Sequence, residues 1–195
     1  MDQILKHKRE FAADLASGDY EVTPEGVVFP RKSAIAVGEY FHTVNGGDEQ
    51  ISKNMIVDQG ILHFLDVVLG AASKISAWYL APYATAITPA ANWTAANFTA
   101  NSGENTSTTE GFVETTRVLY VPAAAAAGAI SNLASRAAFT VNCTTSININ
   151  GAGLLSSNVR GGTTGVLVSA TRFAAQRVLF DDDIFELGYR VTLTG

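Results

Sequence analysis

The sequence predicts a mainly β protein: an antiparallel β-sandwich or jelly roll with one central α-helix and an N-terminal helix and hairpin arm. Three observations lead there. From Ile75 onward, about seven short apolar or alternating runs recur with turn signals between them, the spacing of strands in a sandwich. In the last run, Phe185, Leu187, Tyr189, Val191 and Leu193 alternate with Glu186, Gly188, Arg190 and Thr192, a period of two that puts one side of a strand in a core. Only one stretch, residues 54–69, carries a sustained helical pattern with a clear stop.

That helix is marked by Val57, Ile61, Phe64, Leu65 and Val68, with Leu62 and Leu69 widening the apolar face. Gln59, His63 and Asp66 share the opposite side, a polar stripe left for water or a partner. Ser52 or Asn54 is expected to cap its start, Asp58 to sit at the positive end of the helix dipole, and Gly70 to supply a left-handed stop. The segment is shorter than the roughly 20 apolar residues that span a bilayer. His63 with Asp66 is read as two solvated side chains, not a base with its orienting carboxylate.

The first 50 residues read as an arm or small subdomain reaching over a neighbour, or as an N-terminal β-layer of one common domain; residues 51–195 form the sandwich body. Ile4, Leu5, Phe11, Ala12 and Leu15 lie at helical spacing within 1–17, with Lys6, Lys8 and Arg9 among them, and Ser17-Gly18 is a stop. A helix this short is marginal alone and needs a docking surface. Pro24 and Gly26 place a hairpin turn in YEVTPEGVVFP, and 34–44 is a strand ended by Asn45-Gly46-Gly47.

Past the helix, ISAWYLA (75–81) has the β-branched and aromatic content of a buried strand. Residues 84–111 are small, polar and weakly periodic, and read as a long loop of the kind that forms interfaces. Within it, Trp93 and Phe98 either cover the end of the core or anchor a partner. Strands are expected at 112–121, 136–142, 146–155 and 164–170. Pro122 to Ala129 is a connector because Pro and Gly bracket its alanines. Asp181-Asp182-Asp183 is an acidic turn, since three consecutive carboxylates cannot converge on one ion.

Composition narrows the function classes. Hydrophobic residues make up 47% of the 195-residue chain and charged residues only 16%, below the ~25% usual in soluble domains. Such a surface points to assembly. Every basic residue after Lys74 is an arginine, the better side chain for planar, partly buried ion pairs and interfaces. A formal net charge of −5 argues against general nucleic-acid binding. The single cysteine, Cys143, excludes an intrachain disulfide and a cysteine-based zinc site. MDQILKHKREF has no apolar signal region, so synthesis in a cytoplasm with no membrane anchor is expected. His42 and His63 have no nucleophile to pair with, and no cofactor motif is found, so an enzyme is not expected.

Several stretches, taken in order, resemble structural proteins of tailed bacteriophages. They are a helix ending in LG, a WY strand, TPAANWTAANF, ETTRVLYVPAAA, GAISNLASRAAFTVN, TTGVLVSATRF, and an aspartate turn before a final alternating strand. The similarity covers residues 54–195. It implies a virion component assembled in the bacterial cytoplasm. The leading expectation is a capsid cement or decoration protein that binds the outside of the shell, bridges subunits of the major capsid protein and associates as a homodimer or homotrimer. On that expectation the interface falls to the arm (Ile4, Leu5, Phe11), the loop aromatics (Trp93, Phe98), Arg117 and Arg172. A place in the neck or tail is the close variant. A carbohydrate-binding module, with Trp78, Tyr79 and Trp93 as stacking platforms, is the alternative from another class.

Overall fold

The computed structural model describes residues 20–22, 24–26, 28–30 and 35–194. The expected helix over 1–17, with Ile4, Leu5 and Phe11, lies outside the described residues. The chain divides into two units, Met1–Ala36 with Leu193–Gly195, and Val37–Thr192. In the first, β1 (Tyr20–Val22) and β2 (Val28–Pro30) pair antiparallel with Tyr20 opposite Pro30, and Gly26 takes the left-handed φ of 82° in the connection.

The second unit is mainly β: two antiparallel sheets packed in a sandwich-like arrangement, with two short helices. One sheet runs in the order β4 (Gln50–Lys53), β3 (Ile35–Val44), β13 (Ile184–Thr194), β10 (Ala137–Asn142), β7 (Gly111–Phe112), and β9 (Ala129–Ser131) also pairs with β13. The other runs β5 (Met55–Ile56), β12 (Leu167–Leu179), β11 (Ile147–Leu155), β6 (Trp78–Tyr83), β8 (Val118–Tyr120). Residues 37–50 therefore run in the sandwich. Asn45 and Gly46, at φ 51° and 65°, make the tight turn between β3 and β4.

The alternation in β13 performs as its pattern demands. Phe185, Leu187 and Tyr189 are buried in the main core, where they meet Tyr40, Phe112 and Phe139 of their own sheet and Leu80, Ile149, Leu154 and Phe173 of the other. Val191 only packs partly against this core, and Leu193 is exposed. The expected strand at 112–121 is two strands, β7 and β8, with the buried Arg117 in the stretch between them. The acidic turn joins β12 to β13. Asp181 accepts from the Cys143 amide at 3.0 Å, and Asp183 accepts from the Phe180 amide and the Asn45 side chain, both at 2.7 Å.

Two helices complete the unit. α1 is Asp58–Val68 and α2 is Ala95–Ser102. The second corrects the expectation of a structureless loop over 84–111. Thr94 and Asn97 cap each other's backbone at its start, with the Thr94 amide donating to Asn97 at 2.8 Å, and Gly103 closes it at φ 60°. α2 lays Phe98 and Ala95 onto the outer face of the second sheet, where with Trp93, Val57, Ala81, Tyr83, Leu155, Leu167 and Ala170 they form a second core. That sheet is thus buried on both faces, and β11 passes between the cores with Leu154 in one and Leu155 in the other. Gly153 makes the fit possible, since a Cβ there would lie 2.6 Å from the Phe98 ring.

One ion pair holds this end together. The buried Arg117 guanidinium donates to both carboxylate oxygens of buried Glu104 at 2.7 Å, and also to the Ser157 and Gly162 carbonyls at 3.0 and 3.3 Å. Glu104 in turn accepts from Thr99 at 2.8 Å and from the Gly161 amide at 3.0 Å. Beside it, Arg160 donates to the carbonyls of Asn105, Ser107, Phe112 and Glu114. These arginines tie the loops around 104–117 and 157–162 to the end of α2. Glu104→Gln leaves the guanidinium buried without its counter-charge, which costs about 3–5 kcal/mol; thermal unfolding should show a midpoint lower by many degrees. An unchanged midpoint would mean that water reaches the pair.

Across the main core, His42 of β3 is fully buried, stacked on Phe173 of β12 at 3.9 Å and accepting at Nδ1 from Arg177 Nε at 2.9 Å. Burial, reinforced by the Arg177 charge, lowers its pKa from 6.5 to about 3. The unfolded chain therefore takes up a proton below pH 6.5 that the folded protein refuses until about pH 3. The resulting stability is complete above 6.5 and declines by about 1.4 kcal/mol per pH unit below it. Urea unfolding between pH 7 and 4.5 should weaken less steeply in His42→Gln than in the parent, by about one proton. Parallel curves would show that His42 is not the group responsible.

Candidate interaction surface

The periodicity of α1 predicts an apolar face turned to the core, and the structure turns it the other way. Ile61, Leu62, Leu65, Val68 and Leu69 point outward, and exposure across this face runs from 39% at Phe64 to 81% at Leu69. The residues that approach the body are Gly60, His63 and Val67, one turn apart. Gly60 is the contact point: a Cβ there would lie 2.3 Å from the Val168 carbonyl oxygen of β12. Beside it, Gln59 Oε1 accepts from the buried Leu167 and Ala95 amides at 2.8 and 2.9 Å, joining α1 to β12 and to the first residue of α2. Gln59 and His63 of the expected polar stripe therefore lie at the seam. His63 is half-buried and meets the Trp78 ring edge-on at 5.6 Å, while Asp66 is solvated.

Local structure explains the mounting. Val57, not Ser52 or Asn54, precedes the first turn, with its amide donating to the Val168 carbonyl and its side chain in the second core. The Asp58 amide donates to the Ala91 carbonyl at 2.9 Å. These bonds fix the start of α1 against β12 with Gly60 inward. At the other end Leu69 stays in the right-handed region and Gly70 has no left-handed φ, so the helix ends without the expected glycine stop.

The exposed face runs on into a groove. A recess of about 200 Å³ lies between α1 and the following loop, bordered by His63, Phe64, Val67, Val68, Ile75 and Trp78. Through Phe64, Ile75 and Trp78 it joins a larger apolar cleft of about 420 Å³ whose far wall is Leu119, Val121 and Val191. Lys74 stands at the lip of both. β8, an edge strand, forms part of that wall; its Leu119 and the following Val121 are exposed. Such a contiguous apolar area is the mark of a protein interaction site.

The residues singled out by sequence fare differently. Trp93 and Phe98 stack edge-to-face at 6.3 Å inside the second core, which corrects the partner-anchor reading: they cover the sheet and reach no surface. Arg117 is likewise withdrawn, its charge spent on Glu104 beneath the Phe98 ring. Arg172 alone of these is exposed, on β12, where with Lys53, Thr88 and Phe173 it borders an open cleft of about 480 Å³. Trp93 offers no stacking platform, and Trp78 is half-buried in the groove. Among the described residues no three His, Cys, Asp or Glu side chains converge as metal ligands, and no helix is long and apolar enough to cross a membrane. The sequence signal for the surface was the α1 stripe itself, read with the wrong side inward.

No family model matches the sequence, and no curated protein is found to be similar to it.

Because α1 is held by Gln59 and not by its apolar stripe, two substitutions should separate cleanly. Gln59→Ala strands two buried amides and should cost about 2–4 kcal/mol. Leu65→Asp should stay within about 0.5 kcal/mol of the parent, as a surface change does. Urea unfolding of both variants checks this; a large loss from Leu65→Asp would mean that the stripe is covered in the folded protein.

Proposed function

We propose that the protein is a structural component of a bacteriophage virion, a cement or decoration protein that binds the outside of the capsid and stabilises it by bridging major capsid protein subunits. The observation that carries this reading is the outward apolar face of α1, continuous with the groove below Phe64 and Trp78. Contiguous exposed apolar surface is costly to leave in water and is the mark of a protein interaction site. A rigid sandwich with the loops at one end tied by Arg117 and Arg160 suits a part that must keep its shape under load. The order of sequence stretches similar to tailed-phage structural proteins supports the same reading. In it the protein works as a homodimer or homotrimer in a jelly-roll-like body with an N-terminal arm, uses no cofactor and catalyses nothing. A place in the neck or tail would use the same surface at lower copy number.

The experiment is quantitative mass spectrometry of purified particles made with the parent chain and with the Leu62→Asp, Leu65→Asp double variant. The parent should be present in hundreds of copies, in fixed ratio to the major capsid protein, and the folded variant should be lost from particles. A single ring's worth of copies would move the protein to the neck or tail. Absence of the parent from particles would overturn the reading.

A further inference from the structure

The larger cleft below Phe64 and Trp78 goes deeper than a flat protein face needs. Trp78, Leu154 and Val168 of one sheet and Ile130, Tyr189 and Val191 of the other all border it. Leu154, Val168 and Tyr189 belong to the main core and are at most 4% exposed. The cleft is thus an open end of the gap between the sheets. Protein interiors are close-packed, with few voids larger than a water. A cleft of about 420 Å³ is instead the size of a small-molecule site, about 300–1,000 Å³. An occupant that reaches the buried residues must be slender and apolar.

The polar groups of the lining define its other end. Lys74 is the one charged residue that borders the cleft; it is exposed and makes no ion pair among the described residues. Tyr120, 7% exposed, also borders the cleft, and its hydroxyl hydrogen-bonds to none of the described residues. We propose that this cleft binds a single-chain anionic amphiphile of the fatty-acid class, with the chain between the sheets and the carboxylate at Lys74. The chain supplies the affinity, each buried methylene being worth about fourfold, and Lys74 selects the sign of the head. The ligand is a free molecule and not one held in a bilayer. The net charge of −5 opposes approach to an anionic membrane surface, whereas a single carboxylate meets only Lys74. The inference stands apart from the virion reading, since Ile61, Leu62 and Leu65 of the α1 stripe lie outside the cleft and stay available.

The test is calorimetric titration of the full-length protein with decanoate below its micelle concentration, with native mass spectrometry for the stoichiometry. One decanoate per chain should bind saturably. Decanol should bind about threefold more weakly, the preference that an exposed ion pair gives, and decyltrimethylammonium more weakly again. Lys74→Glu should reverse that order. Val121→Trp, on the exposed rim, and Ile130→Trp, on the half-buried wall, should each weaken binding severalfold while the thermal midpoint holds. Leu65→Asp should leave binding unchanged. No saturable binding by the parent would overturn the inference, as would equal affinity for the three head groups or the parent's order retained in Lys74→Glu. Binding lost in Leu65→Asp but kept in both tryptophan variants would assign the amphiphile to the α1 stripe and overturn it. Cosedimentation with phosphatidylglycerol vesicles, without binding of decanoate, would make the ligand a membrane surface and overturn it equally.

Discussion

Burial of the five-stranded sheet on both faces is the constraint from which the rest of the second unit follows. One face meets the other sheet through Leu80, Ile149, Leu154 and Phe173; the other is roofed by Trp93 and Phe98. A strand between two cores cannot alternate apolar and polar residues, and β11 does not: from Ile149 to Leu155 every residue is buried. Space between the roof and the sheet is set by Gly153 under the Phe98 ring and by Gly60 against β12. The Glu104–Arg117 pair then closes the end, because both charges can be buried only when each has its full set of partners.

With the roof supplied by α2, α1 covers little of the sheet's apolar surface, and most of its large side chains stay outside. It is attached through a glycine and a glutamine, and its stripe faces away. The same arrangement places Phe64 over the groove beside Trp78, so the outward stripe and the cleft form one continuous apolar surface. Packing of the interior and exposure of the candidate interface are thus two results of one layout.

The strands were legible because their signals are local. Period two in β13, the Asn45-Gly46 turn and the aspartates after Leu179 each act over a few residues, and each performs as elementary stereochemistry requires. α2 was hidden because ANFT is weakly amphipathic; its traces were the Thr94–Asn97 pair and Gly103. The orientation of α1 was beyond periodicity altogether. A stripe says that two sides of a helix differ, not which side meets the body, and that choice rests on Val168 and Leu167, more than a hundred residues away in sequence. Likewise arginine chemistry suits Arg117 to a buried planar pair, yet its partner Glu104 becomes evident only when the loop folds back.

The way α1 is fastened has a dynamic consequence. Lifting it from β12 breaks the Gln59 bonds and uncovers His63, Val67 and little further apolar surface, because its large side chains are in water already. Local opening of this helix should therefore require less free energy than opening of either core. A partner seated on α1 would therefore load a helix fastened through Val57, Gln59 and Gly60, and not the two cores beneath.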